Sequence, residues 1–118
     1  MTLSSLQRAL AQFAVERDWE QFHTPKNLAM ALAGESGELL GIFQWLTSEQ
    51  SAQVMQDEAR APQVREEMAD VLAYLLRLSE VLDVDLELAL TEKIEKNRRK
   101  YPVHLARGKA DKYTQLGG

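Results

Sequence analysis

Two pairs of acids lie within or along the edge of apolar helical stripes, and they restrict the fold more than any other feature of the chain. In GESGELLGIFQW, residues 34–45, Glu35 and Glu38 are three apart; in EEMADVLAYLL, residues 66–76, Glu67 and Asp70 repeat that spacing. On a helix, groups three apart lie on one side, one turn from each other. At about 100° per residue, Glu35 falls in the middle of a stripe made by Leu28, Ala31, Leu32, Leu39, Ile42 and Leu46, with Glu38 beside it. In the second segment Val64, Met68, Val71, Leu75, Leu78 and Leu82 form the stripe. Glu67 and Asp70 mark its edge, with Tyr74 between them. An ionised carboxylate on a packing face costs several kcal/mol, of order ~3–5, unless something compensates it. A single Glu of this kind is ordinarily a boundary residue whose tip reaches water. Two pairs on helices that must face each other need cations, and these faces carry too few basic residues. A hard divalent ion such as Mg²⁺, with Mn²⁺ as the variant, fits an all-oxygen donor set.

The rest of the chain reads as helices with short connections. The first spans Leu3 to Trp19, with Ser4 and Gln7 at capping-box spacing and Leu6, Leu10 and Phe13 as its apolar repeat. Trp19 opens the loop 20–25, where it either anchors that loop or stacks on a planar ligand. Thr24-Pro25 is a helix start, and the second helix runs to about Trp45. Met30, Ala33, Gly34, Gly37 and Gly41 lie on its other side. Glycines in a helix interior cost about 1 kcal/mol each against Ala, so they predict close approach by another backbone. A helix buried on both sides in so small a bundle argues for a homo-oligomer. Thr47 with Gln50 predicts a short helix over 48–57. The third long helix runs from about Gln63 to Leu82. Asp83 or Asp85 caps a fourth over Leu86 to Lys100, and Pro102 stops it. The class is all-α, a four-helix bundle over residues 1–102, followed by a basic, partly ordered tail over 103–118.

Composition narrows the chemistry. With no cysteine among 118 residues, disulfides and thiolate metal sites are excluded. That usage, with no long apolar run and no signal-peptide pattern, suits a cytoplasmic protein without a membrane segment. The net charge is −4, yet 8 of the 14 Lys and Arg residues fall between Lys93 and Lys112. Such a patch fits nucleic acid or a polyphosphate. It has few aromatics for stacking single strands, so a nucleic-acid module is the weaker alternative. Neither His23 nor His104 follows a Glu by three, against a ferritin-type di-iron site. No Walker loop, zinc motif or nucleophile motif occurs. Metal-assisted attack of water on a phosphate remains, with a nucleoside triphosphate balancing the metals. Lys93, Arg98, Arg99 and Lys100 could hold outer phosphates. Trp19 and Trp45 could stack on a base, and Asn97 or Tyr74 could supply directional hydrogen bonds.

These residues also carry a resemblance. Glu35-x-x-Glu38 followed by Glu67-x-x-Asp70 resembles the metal-binding signature of the MazG-like, all-α nucleotide pyrophosphohydrolases. The blocks ERDWEQFHTPKNL, GESGELLGIFQW, EEMADVLAYLL and KIEKNRRKYPVHLARGKADKYTQL look like the dCTP pyrophosphatase branch over nearly the whole chain. The resemblance implies Mg²⁺ on Glu35, Glu38, Glu67 and Asp70, with cleavage between the α and β phosphates of dCTP or a 5-modified dCTP. It implies a role in cleansing the nucleotide pool. It places Trp19 and Trp45 around the base and Tyr74, Lys93, Asn97 and Tyr101 near the nucleotide. It also implies a tetramer built as a dimer of dimers. One departure concerns the first helix. Three residues before Phe13, where the animal members carry a His, this chain has Leu10. If that His helps select the base, cytosine preference rests here on other residues. The same chemistry on another triphosphate, such as dUTP, fits the motifs equally.

Overall fold

The computed structural model describes residues 1–110, and every regular element among them is helical. They form two compact units, Met1–Asp83 and a second from Val84 onward. The end of the expected tail, residues 111–118, lies outside the described residues.

The first unit holds α1 (Leu3–Glu16), α2 (Pro25–Phe43), α3 (Ser48–Ala52) and α4 (Arg60–Val81). Each boundary has a local cause. At the start of α1, the Thr2 hydroxyl accepts from the Ser5 amide while the Ser5 hydroxyl bonds back to the Thr2 backbone. That reciprocal cap replaces the one expected at Ser4 and Gln7. The chain leaves α1 through Asp18, whose φ of 55° is left-handed. The Asp18 amide then reaches Val15 O and the Trp19 amide reaches Ala14 O, the two bonds of a Schellman ending. The helix therefore stops at Glu16, ahead of the expected Trp19, and Trp19 is tied to buried Ala14.

A 3₁₀ turn, Glu20–Phe22, leads to Thr24, whose side chain accepts from the Asn27 amide with Pro25 at the first helical position. The Asn27 side chain closes the junction by donating to Phe22 O at 3.1 Å. Thr47 and Gln50 form the expected capping box on α3. α4 begins at Arg60, three residues before the predicted start, because the Asp57 carboxylate accepts from the Ala59 and Arg60 amides. Pro62 then sits in the first turn, where its missing N–H leaves no bond unmade.

α4 packs mainly against α2, and secondarily against α1. Gly41 and Ile42 near the end of α2 line one groove with Arg60 and Gln63 at the start of α4, so the two helices run antiparallel. The core contains Ala14, Leu28, Val54, Ala61, Val64 and Leu76. Burying Leu28 alone removes a side chain worth about 2 kcal/mol from water. A hydrogen bond from Gln7 Nε2 to Ser79 Oγ, 2.7 Å, joins α1 to α4.

The apolar stripe of α4 differs from expectation. Val64 is buried and Val71 and Leu78 are half-buried, whereas Met68, Leu75 and Leu82 are exposed. The second packed face runs instead through Leu76, Arg77 and Ser79, because α1 takes up a side of the helix that a single stripe does not foresee. The glycines of α2 are a second difference. A Cβ added to Gly34, Gly37 or Gly41 would meet nothing within 4 Å, so the close approach they predict does not come from this chain.

The second unit contains α5 (Leu86–Lys100), capped by the Asp85 carboxylate on the Leu88 amide, and α6 (Val103–Ala106). α6 falls in the segment expected to be tail. Arg98, Arg99 and Lys100 occupy the last turn of α5, where cations complement the helix dipole.

Candidate metal centre and nucleotide pocket

The antiparallel pairing of α2 with α4 brings three of the four acids together. One carboxylate oxygen from each of Glu35, Glu38 and Glu67 lies within 4.8 Å of the other two. Glu35 and Glu67 are half-buried, whereas Glu38 is exposed. One oxygen of Glu35 and one of Glu67, Oε2 in each, is buried with no hydrogen-bond partner. Buried carboxylate oxygens without donors are rare because each loses its hydration and gains nothing. Three hard anionic oxygens within reach of one point form the donor set a divalent ion takes, and the two orphaned atoms are the ones it would satisfy.

The same geometry shifts their acidities. Burial, and then the neighbouring Glu38 and Glu35, push Glu67 up to about 7. Glu35 is also raised, by burial first and then by the charges of Glu38 and Asp70. Asp70 is exposed and stands outside the trio, yet close enough for its charge to act on Glu35.

Two hollows flank the acids. A groove of 460 Å³ is lined by Glu38 and Glu67 together with Trp45, Arg60 and Gln63. Trp45 is 85% exposed on its rim. A smaller cavity of 170 Å³ is lined by Leu10, Phe13, Trp19, His23, Asp70, Ala73, Tyr74 and Arg77. Trp19 meets Phe13 edge-on at 5.6 Å between ring centroids and His23 at 6.4 Å. The two tryptophans expected to share a base therefore line different hollows of this chain. Trp19 and Tyr74 share one with Asp70, and Trp45 lies in the other with Glu38 and Glu67. Lys93, Asn97 and Tyr101 belong to the second unit; Lys93 and Asn97 are on α5 and Tyr101 is its C-terminal cap.

Arg60, His23 and Arg77 were not among the residues expected from sequence. Arg60 lies outside the basic run that drew attention to the C-terminal third. In the sequence His23 stands out only by not completing an iron motif. Arg77 falls one residue off the apolar stripe of α4, and nothing in its spacing reveals that the α1 side of the helix would bury it.

The MazG-like family profile matches residues 31–116, nearly three-quarters of the sequence. The chain belongs to the MazG-like family. This MazG-like chain is 51% identical over 116 residues to the rat protein named dCTP pyrophosphatase 1, covering 98% of this chain and 68% of the relative. The human protein of that name is likewise 51% identical over 116 residues, with the same coverage. Among solved structures, a pyrophosphatase from Archaeoglobus fulgidus superposes with a TM-score of 0.78 at 45% identity, covering 84% of this chain and 91% of that one. The all-α fold expected of a MazG-like chain and the hydrolase class expected with it are those of these relatives. No helix among the described residues is long and apolar enough to cross a membrane.

Proposed function

We propose that this chain is a divalent-metal-dependent nucleoside triphosphate pyrophosphohydrolase that converts dCTP, or a 5-modified dCTP, to the monophosphate and pyrophosphate. The observation that carries this reading is the convergence of Glu35, Glu38 and Glu67 with two buried oxygens that lack any donor. Identity of about half to proteins named dCTP pyrophosphatase 1, over nearly the whole chain, supports the choice of substrate.

Glu35, Glu38 and Glu67 would hold the metal, Mg²⁺ by the hardness of the donors, with Asp70, outside the trio, as the fourth ligand that the family resemblance implies. A divalent ion there supplies positive charge to the scissile phosphate and lowers the pKa of a bound water. The protein's own contribution is placement. The half-buried Glu35 and Glu67 keep negative charge where water is scarce, which would strengthen their hold on the cation that in turn faces the phosphate. The exposure of Glu38 at the edge of the groove supports reading it as the acid that accepts the proton the attacking water gives up. Hydrolysis consumes one water and breaks the bond between the α and β phosphates. Trp19 and Tyr74 offer a plane and a hydroxyl for the base, and Trp45 a plane beside the acids. Lys93, Asn97 and Tyr101 enter this reading through the family resemblance alone. The uncovered glycines Gly34, Gly37 and Gly41, beside Met30 and Leu40 at 63% and 61% exposure, support assembly into a homo-oligomer, a dimer or a dimer of dimers.

The deciding experiment incubates the protein with dCTP and Mg²⁺ and identifies the products. Equal amounts of dCMP and pyrophosphate are expected, with no turnover in EDTA. Release of dCDP and orthophosphate would place the cut at the wrong bond and overturn the proposal.

A further inference from the structure

Arg77 is a buried charged group of the first unit that the acid cluster does not account for. It is 7% exposed on α4 and ion-paired with Glu80, itself largely in solvent. A buried guanidinium is a poor way to hold a helix, since an apolar side chain of that size packs at no desolvation cost. Its position has a second consequence. Arg77 Nε donates to Nδ1 of His23 at 3.0 Å, linking α4 to the loop between α1 and α2. Both residues line the 170 Å³ cavity that contains Trp19 and Tyr74.

That hydrogen bond fixes the chemistry of the imidazole. Arginine is always a donor, so Nδ1 must carry a lone pair and the ring's proton must sit on Nε2. A second proton on His23 would set one N–H against another. Burial, and then the Arg77 cation, accordingly hold His23 below the usual imidazole range. At neutral pH the ring is uncharged and offers a donor at Nε2, with no acceptor left to offer.

Part of the cavity around it is apolar. Leu10, Phe13 and Ala73 make no hydrogen bonds with their side chains. The volume is below that of a pocket for a whole drug-sized ligand and matches a single small ring. A planar ring resting against Trp19 would meet Asp70 and Tyr74 as well as His23, and His23 is the one whose hydrogen-bonding character a second residue, Arg77, sets.

We propose that His23 is a base-reading residue that donates from Nε2 to an unprotonated acceptor on the edge of the pyrimidine, and that Arg77 is the positioning residue that fixes its tautomer. This inference rests on the triphosphate pyrophosphohydrolase reading. It deepens that reading by assigning the preference for one base. Cytosine presents a bare acceptor at N3, the atom this donor must reach to discriminate, since O2 accepts in all three pyrimidines. Uracil and thymine carry an N–H at N3, which a fixed donor repels.

The test measures kcat and KM for dCTP and dUTP with the wild-type protein, His23→Phe and Arg77→Met. His23→Phe is expected to raise KM for dCTP about tenfold, the size of one hydrogen bond, with a smaller change in kcat. It should also reduce the preference for dCTP over dUTP. Arg77→Met should shift that preference in the same direction, and Arg77→Lys should restore little, because an ammonium lacks the directed Nε donor. The ¹⁵N shifts of the ring in the wild-type protein should report Nδ1 bare and Nε2 protonated, and a tautomer mixture in Arg77→Met. A residue that merely held the loop would change folding stability and leave the base preference alone. An active wild-type protein whose His23→Phe form keeps its KM and its base preference overturns this inference and leaves the pyrophosphohydrolase reading standing. An Nδ1–H tautomer in the wild-type spectrum does the same. A wild-type protein inactive on both triphosphates overturns both.

Discussion

At the scale of single residues, the chain concentrates its tension in Glu35 and Glu67. Each is held where its charged form is disfavoured, and each has an oxygen with no partner. Their pKa values rise on folding, that of Glu67 from the ordinary 4.5 up to about 7, so the metal-free folded protein binds more protons than the unfolded chain in that window. These two acids then contribute a fall in stability as pH rises through that window, larger than the opposing contribution of the single His23, whose pKa is lowered. Thermal unfolding in EDTA should show a midpoint that drops from pH 5 to pH 7. Saturating Mg²⁺ should flatten that dependence and raise the midpoint, because a ligand that binds only the folded state stabilises it. Glu67→Gln separates the two roles of the acid. Without metal the variant should be at least as stable as wild type at pH 7, since a charge has left a partly buried place. It should lose the midpoint rise on adding Mg²⁺, and its turnover should fall by about 100-fold or more. Calorimetry and a product assay on the same sample would check all three.

At the scale of elements, the helix ends decide where the site residues stand. Asp18 takes a left-handed conformation so that α1 can close on itself and present Trp19 to the cavity. An L-residue is strained there, and a carboxylate at a helix C-terminus opposes the dipole. Asp18→Gly should therefore stabilise the fold by about 0.5–1 kcal/mol in denaturant unfolding, even though the side-chain bond from Gln21 is lost. Thr24 is the converse case. Its hydroxyl is the cap of α2, and Thr24→Ala should cost about 1 kcal/mol. The Thr24 cap was legible in the sequence, as was the Thr47–Gln50 box, because each uses side chains a few residues apart. The start of α4 was less so. Asp57, a residue outside the helix, sets it by bonding two amides, and that depends on the preceding turn.

At the scale of the whole molecule, the first unit leaves apolar surface uncovered. Met30 and Leu40 on α2 and Met68 and Leu72 on α4 are all well exposed, and the glycines of α2 face open space. On an isolated chain Gly37→Glu would relieve a helix-destabilising residue and cost nothing. In the proposed homo-oligomer the same change buries an unpaired charge at an interface. Light scattering after size exclusion should give a multiple of 13.4 kDa for the wild-type protein and a smaller species for Gly37→Glu. The sequence by itself determined the all-α class, the main helix boundaries to within a few residues and the acid pairs that face each other, because helical periodicity, capping and i, i+3 spacing are local properties of the chain. Only the tertiary structure decided that Asp70 stands apart from the acid trio, that Trp19 and Trp45 line separate hollows, and that Arg77 reaches across 54 residues to fix His23. Those outcomes depend on which side of α4 is taken by α1 and which by α2, and no periodicity within one helix records what packs against it.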